Sequence, residues 1–334
     1  MRANPLALPT STPSGYEPLP DEPEFDPARH LALEPPERVW TLKDFGYSEE
    51  EIRASATPIA VTGPIRVLSK AGADAARTVA LALKSRSQTG DRTAHYLTGG
   101  VYRSKFLRDL CASRELTQFL SQVIRCEVLP HSMPSQQVYI NYAPEDLSRA
   151  VDTWHADSIG MDTVVMVTDP TSFSGGRFQF FEGTTQEAAR LLGTSSSGLT
   201  AAITRDLPPE RVVTVEFPAA GYAIFQQGSM VIHRATRLLQ RAERITMVFG
   251  YVAGDVVPPD PTRDSIAEWE EAGIIAEYAR HKAWLSATKL EHLIRELNVN
   301  APRADICRML GSAIADAQRA LAVLREGSDR DKIR

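Results

Sequence analysis

The middle of the chain is a succession of short stretches in which apolar and polar positions alternate, or in which a few apolar residues run together. Between Cys126 and Ala253 nine of them read as strands: 126–132, 136–143, 152–157, 162–168, 177–182, 211–217, 222–226, 230–236 and 244–252. Pro, Gly, Asp and Ser mark most of the breaks. So many short strands without helices between them predict an antiparallel jelly roll or barrel. A doubly wound sheet would need intervening helices, and no G-x-G-x-x-G dinucleotide fingerprint is present. The one long gap, 183–210, is expected to hold a short helix (Gln186–Leu192) and a Gly/Ser/Thr-rich loop (Gly193–Thr200).

The period changes on both sides of this region. Ile59–Val61 and Ile65–Leu68 read as short strands around a Gly63-Pro64 turn. Ala71–Lys84 and Ser104–Ile124 read as helices, the second carrying Phe106, Leu107, Leu110, Leu116, Phe119, Leu120 and Val123 at helical spacing. After Pro258-Pro259-Asp260-Pro261 the pattern is helical again, with Ile306, Leu310, Ile314, Ala317, Leu321 and Leu324 near a 3.6-residue period. That face is expected to pack on the core, with a homodimer contact as the alternative. Nine prolines in residues 1–36 break up any regular element there, predicting an extended arm that drapes over the body or stays mobile. The expected organisation is mainly β with flanking helices: an arm (1–36), a β-rich core with support helices and an insertion at 183–210 (37–257), and a helical extension (258–334).

Composition narrows the class. With 334 residues and 43% hydrophobic content the chain can bury a sizeable core. A net charge of −5 and the lack of basic-aromatic patterning argue against a nucleic-acid partner. The longest apolar runs, such as Thr78–Leu83 and Thr163–Val167, are too short to span a bilayer, and no secretory signal pattern opens the sequence. Cys111, Cys126 and Cys307 are widely spaced and include no C-x-x-C, which fits reduced thiols in a cytoplasmic protein.

The candidate chemistry sits in Trp154-His155-Ala156-Asp157. In an extended segment His155 and Asp157 share one face, so an imidazole nitrogen and a carboxylate oxygen can reach one metal ion. His233 lies in one of the last strands of the same region. Two His and one carboxylate form the facial triad of non-heme iron sites, which leaves coordination positions open. Arg244 and Thr246 share a face of the final strand, where a guanidinium fork suits a carboxylate. Arg234, Arg237 and Arg241 are rivals in a polar, turn-like stretch. The plainer alternative is a pair of strand-end polar residues and an unrelated core histidine.

Taken in order, His155-x-Asp157, His233 and Arg244-x-Thr246 resemble the Fe(II)/2-oxoglutarate-dependent dioxygenase superfamily over roughly residues 38–255. The resemblance implies a double-stranded β-helix, a jelly-roll or cupin-like variant, with His155, Asp157 and His233 as iron ligands. It implies Arg244 as the anchor for 2-oxoglutarate, with Thr246 where the family usually has serine, and O₂ as the other co-substrate. Gly175-Gly176 resembles a glycine pair that members carry after the strand following H-x-D. Tyr139 and Asn141 are expected to touch the co-substrate, and Arg177 to pair with a substrate carboxylate. Halogenating relatives replace the H-x-D carboxylate with Gly or Ala. Asp157 is present here, so the implied reaction is hydroxylation, desaturation or a related C–H oxidation, with release of succinate and CO₂. The implied substrate is a small molecule, an amino-acid derivative or natural-product intermediate. A redox-neutral metal-dependent jelly-roll enzyme and a non-catalytic interaction protein with a vestigial site are the competing readings.

Overall fold

The computed structural model describes residues 1–331. Five strands precede the β-rich region: β1 (Leu31–Glu34), β2 (Val39–Thr41), β3 (Ile59–Thr62), β4 (Ile65–Leu68) and β5 (Tyr96–Leu97). Each of the nine stretches expected to be strands then contains one. They are β6 (Val128–Pro130), β7 (Val138–Tyr142), β8 (Asp152–His155), β9 (Met161–Met166) and β10 (Phe178–Phe181), followed by β11 (Val212–Val215), β12 (Tyr222–Gln226), β13 (His233–Ala235) and β14 (Ile245–Ala253).

Two antiparallel sheets result. The larger runs β1-β4-β12-β9-β14-β7-β5, with β3 and β6 added beside β12 and β14 and β2 beside β3; the smaller runs β11-β10-β13-β8. From β7 onward the chain passes between them: β7, β9, β12 and β14 join the large sheet, and β8, β10, β11 and β13 the small one. The protein is therefore sheet-rich with flanking helices, as expected. Strand β9 is buried at every position. Val164 and Met166 pack between the sheets with Phe178 and Phe180. Met161 and Val165 face the opposite way, toward Phe106, Leu107 and Leu110. A strand covered on both faces loses its alternation, which explains the apolar run at 163–167. Each such buried side chain contributes roughly 1.5–3 kcal/mol.

The helix Lys70–Leu83 is capped by Ser69, whose hydroxyl accepts from Gly72 N at 3.0 Å, and it buries Ala76, Val79 and Leu83. The single helix expected over 104–124 is two, Lys105–Cys111 and Arg114–Ile124. Ser113 leaves the helical conformation and its hydroxyl caps Leu116 N at 3.3 Å, starting a new helix. The N-terminal arm drapes over the body. Leu8, Leu19 and Phe25 pack against the large-sheet core, and the arm does hold regular elements despite its prolines, with Pro27–His30 helical and β1 paired to β4.

Two long helices, Ile274–Glu296 and Arg303–Asp331, close the chain and pack on each other. The second buries Ala313 and Ala320, whereas Leu310 and Leu321 of the expected face are 46% and 50% exposed. Small residues allow close approach, and Lys289–Asp316 (2.7 Å) with Ser286 Oγ accepting from Ala317 N (3.0 Å) sets the rotation. No helix among the described residues is long and apolar enough to cross a membrane.

A buried polar cluster ties this extension to β6. His281 contacts Ser132 Oγ at 2.5 Å and Asp260 Oδ2 at 2.8 Å, Lys282 donates to Asp260 at 2.6 Å, and His131 accepts from Met133 N at 3.2 Å. Burial, then the neighbouring His281, lowers His131 to about 3. Unfolded, it takes up a proton near about 6.5. The unfolded state therefore binds more protons between these values, so stability present above about 6.5 is lost as pH falls toward about 3. Urea unfolding from about pH 7.5 to about pH 5 should cost the wild type ~2 kcal/mol more than a His131→Asn variant, which keeps the acceptor but does not titrate. Equal losses would show that His131 is not the titrating group.

Candidate metal centre

Strand β8 ends on His155 and β13 begins on His233, and the two residues are direct antiparallel partners. Their rings lie 4.2 Å apart, centroid to centroid. Asp157 follows just beyond the end of β8, where its N–H donates to Gly228 O at 2.8 Å and turns the chain back toward the histidines. One carboxylate oxygen is 3.3 Å from His155 Nε2 and the other 3.4 Å from His233 Nε2. One ligand atom from each of the three residues falls within 4.8 Å of the others, and no other group of three His, Cys, Asp or Glu does so among the described residues.

The environment decides what these atoms are. His155 Nδ1 lies 2.7 Å from Thr153 O and His233 Nδ1 2.9 Å from Val231 O. A carbonyl only accepts, so both imidazoles carry a proton on Nδ1 and turn Nε2 toward Asp157. Burial, then His155, lowers His233 to about 4, so it is neutral at physiological pH. Two imidazole nitrogens and a carboxylate thus converge on one point. That arrangement fits a divalent cation.

Behind Asp157 stands a second carboxyl. Asp162 is fully buried, and burial, then the Asp157 charge, pushes it well above the usual carboxylate range. The Gln226 amide joins the group, with Nε2 3.1 Å from Asp162 Oδ1, 3.4 Å from Asp157 Oδ2 and 3.0 Å from His233 Nε2. Gly228 makes room for them, since a Cβ there would lie 2.1 Å from Asp157 Oδ2.

Arg244 lines the same cavity and is 1% exposed. Its Nε donates to Gly176 O at 2.8 Å and one terminal nitrogen to Thr246 Oγ1 at 3.4 Å. It has no ion-pair partner among the described residues. Burial lowers it to about 10, which still leaves it charged near neutrality. Gly176 takes φ +62°, and a Cβ there would meet Arg244 Cδ at 2.7 Å, so the glycine gives the stem passage. Thr246 is the direct strand partner of Asn141. Tyr139 and Asn141 line the cavity, and the Asn141 Oδ1 is buried without a hydrogen-bond partner. A buried guanidinium without a counter-ion calls for an anionic ligand, and the Asn141 oxygen for a donor.

The rivals separate cleanly. Arg237 and Arg241 are exposed. Arg234 borders the cavity but is engaged by Asp206 and Gln179, each at 2.7 Å, and lies over the Trp154 ring. Arg177 does not reach the cavity: it is exposed and paired with Glu216 at 3.1 Å. Phe178 lines the cavity, and strand alternation sends its neighbour the other way. The expected substrate role of Arg177 is therefore corrected.

Sequence reasoning passed over Arg92, Asp152, Asp162, Gln226 and Trp269, which also line the cavity. Arg92 approaches Asp152 at 3.6 Å and Asp157 at 3.9 Å. Isolated residues of these types carry no spacing signal. The Gln226-Gln227-Gly228 run, two polar amides before a glycine at a strand end, was the nearest thing to one.

A family model described as Halogenase D matches residues 77–271, more than half of the chain. No curated protein matches. Similar solved structures include the non-heme α-ketoglutarate-dependent carbocyclase SnoK from nogalamycin biosynthesis (16% identity, 64% of this chain and 86% of that one, TM-score 0.42). Others are EvdO2 from Micromonospora carbonacea var. aurantiaca complexed with 2-oxoglutarate (16%, 67% and 97%, 0.38) and HygX from Streptomyces hygroscopicus with nickel and 2-oxoglutarate bound (14%, 61% and 87%, 0.37). Overlaps of this size carry no argument about chemistry.

Gly228→Ala places a methyl against Asp157 without touching a ligand atom's identity. It should weaken Co(II) binding, measured by calorimetry, by about 10–100-fold while leaving the fold intact by circular dichroism. Unchanged affinity would show that Asp157 does not contact the ion.

Proposed function

This chain belongs to the halogenase D family, and on that premise we propose that it is an Fe(II)- and 2-oxoglutarate-dependent oxygenase that oxidises a C–H bond of a small molecule. The observation that carries the reading is the buried convergence of two imidazoles and a carboxylate beside a guanidinium that lacks an anion. His155 and His233 would hold iron through Nε2 and Asp157 through a carboxylate oxygen, leaving positions open on one side. Arg244 and Thr246 would take the distal carboxylate of 2-oxoglutarate, and Asn141 and Tyr139 would form the wall beside it. The passage of β7–β14 between two sheets supports a double-stranded β-helix with this site between them.

When bound, iron and 2-oxoglutarate couple O₂-dependent decarboxylation, giving succinate and CO₂, to oxidation of the substrate. The chain's contribution is placement and dryness. The Thr153 and Val231 carbonyls hold the imidazole protons on Nδ1 and so aim Nε2 inward. Gln226 and Asp162 brace the Asp157 carboxylate from behind. Val164, Phe178 and Val248 line the cavity with apolar surface and exclude water.

Asp157 favours oxidation over the family's named chemistry. A halogenating site of the resembled type lacks this carboxylate, whereas here both its oxygens face the histidines. Hydroxylation or desaturation is the outcome we assign. Arg92 and Arg234 together with Asp152 give the cavity both signs of charge. A zwitterionic amino-acid derivative or a comparable natural-product intermediate fits that lining.

Arg244→Ala should weaken 2-oxoglutarate binding to Mn(II)-loaded protein by about 30–100-fold, the worth of a charge-assisted bidentate contact, with metal affinity unchanged. An unaltered keto-acid affinity would move the anchor to Arg234. In turnover with chloride present, product mass spectrometry should show an added oxygen or a lost pair of hydrogens. A chlorinated product would overturn the assignment made from Asp157.

A further inference from the structure

Beyond β14 the chain returns across the site. Arg263 N donates to Ser158 O at 2.8 Å, and a Cβ on Gly160 would lie 2.4 Å from the Pro261 ring, so this segment packs directly on the loop that follows Asp157. A short turn, Asp264–Glu268, then delivers Trp269, which lines the cavity that holds the three ligands and is 39% exposed. Two residues on, the Glu271 carboxylate accepts the Thr98 hydroxyl at 2.8 and 2.7 Å and also accepts the hydroxyl of Tyr16 from the N-terminal arm.

Both partners are fixed by packing of their own. Tyr16 is 9% exposed, with the Arg103 guanidinium 4.4 Å above its ring and Tyr102 at 5.1 Å. Gly99 takes φ +62°, and a Cβ there would come 2.4 Å from the Tyr16 ring, so the ring fits only against glycine. Thr98 directly follows β5, whose Tyr96 stacks on the cavity residue Tyr139 at 5.2 Å. The arm's Pro13 abuts Gly273, which sits at φ +83°. Three stretches remote in sequence therefore meet at one carboxylate, next to a side chain of the site.

We propose that Glu271 is a positioning residue: clipped by Tyr16 and Thr98, it holds the 264–273 segment so that Trp269 caps the metal cavity. The arm thereby shapes the site through a contact that never touches it. The clip's effect on metal access rests on the proposed metal site; its effect on Trp269 does not.

The test uses full-length protein and three variants: Tyr16→Phe, which loses only a hydroxyl and keeps the ring packing, Glu271→Gln, and Glu271→Ala. Acrylamide quenching of Trp269 is isolated by subtracting the same backgrounds carrying Trp269→Phe. The quenching constant should rise about twofold in Tyr16→Phe and Glu271→Ala, and less in Glu271→Gln, which retains one acceptor. EDTA should strip bound Mn(II) severalfold faster from the first two. Unchanged quenching in both would overturn the clip. Raised quenching with unchanged stripping would overturn the cap. Failure of every protein to bind Mn(II) would sink the metal site and the cap resting on it, while the quenching result would still decide the clip.

Discussion

The antiparallel pairing of His155 with His233 is the contact on which the chemistry depends. Each lies at the end of its strand in the small sheet, so the register of β8 against β13 brings the two imidazoles to 4.2 Å. A slip of one residue would turn one ring to the opposite face and leave Asp157 facing a single nitrogen. Much of the surrounding fold holds that register. β10 pairs with β13 on its other side through Phe180↔His233. The apolar layer of Val164, Met166, Phe178 and Phe180 then fixes the small sheet over the large one.

Electrostatics follows from this placement. Burial keeps His233 neutral, and the backbone carbonyls of Thr153 and Val231 accept from the Nδ1–H groups, so both Nε2 atoms are aimed at Asp157. The Gln226 amide and Arg92 offset part of the charge gathered there, and a cation would offset the rest. Arg244 is the mirror image, a buried donor without an anion. The two unmet demands lie in one cavity and have opposite sign. A ligand with a metal-chelating end and a carboxylate at the other end satisfies both, which is the chemical outline of a 2-oxo diacid.

The sequence was legible where a period or a spacing carried the information. All nine expected stretches overlap strands, because alternation marks a strand with one buried face and a short apolar run marks one buried on both, as in β9. Two-residue offsets paired His155 with Asp157 and Arg244 with Thr246, while His233 was found from its place in a late strand and from the order that the family resemblance supplies. Arg177 was placed in the site from its position after the Gly175-Gly176 pair, which does not say which face points inward, and Phe178 lines the cavity instead. Helical spacing likewise identified the last helix but not its rotation, since the contact is made by Ala313 and Ala320 and not by the larger Leu310 and Leu321. Asp162 and Trp269 had no pattern to reveal them. One is a lone carboxyl in an otherwise apolar strand, and the other belongs to a segment whose place over the cavity depends on tertiary contacts to residues 16 and 98.

In the proposed site an iron held by His155, Asp157 and His233 shares its cavity with a keto acid anchored by Arg244. Anaerobic titration of metal-free protein with Fe(II) and 2-oxoglutarate, followed by visible absorption, tests it most directly. A saturable charge-transfer band that needs both components and is lost in His233→Ala is expected. Tight binding of Zn²⁺ or Mn²⁺ with no such band, and no response to the keto acid, would contradict it and favour a redox-neutral metal enzyme.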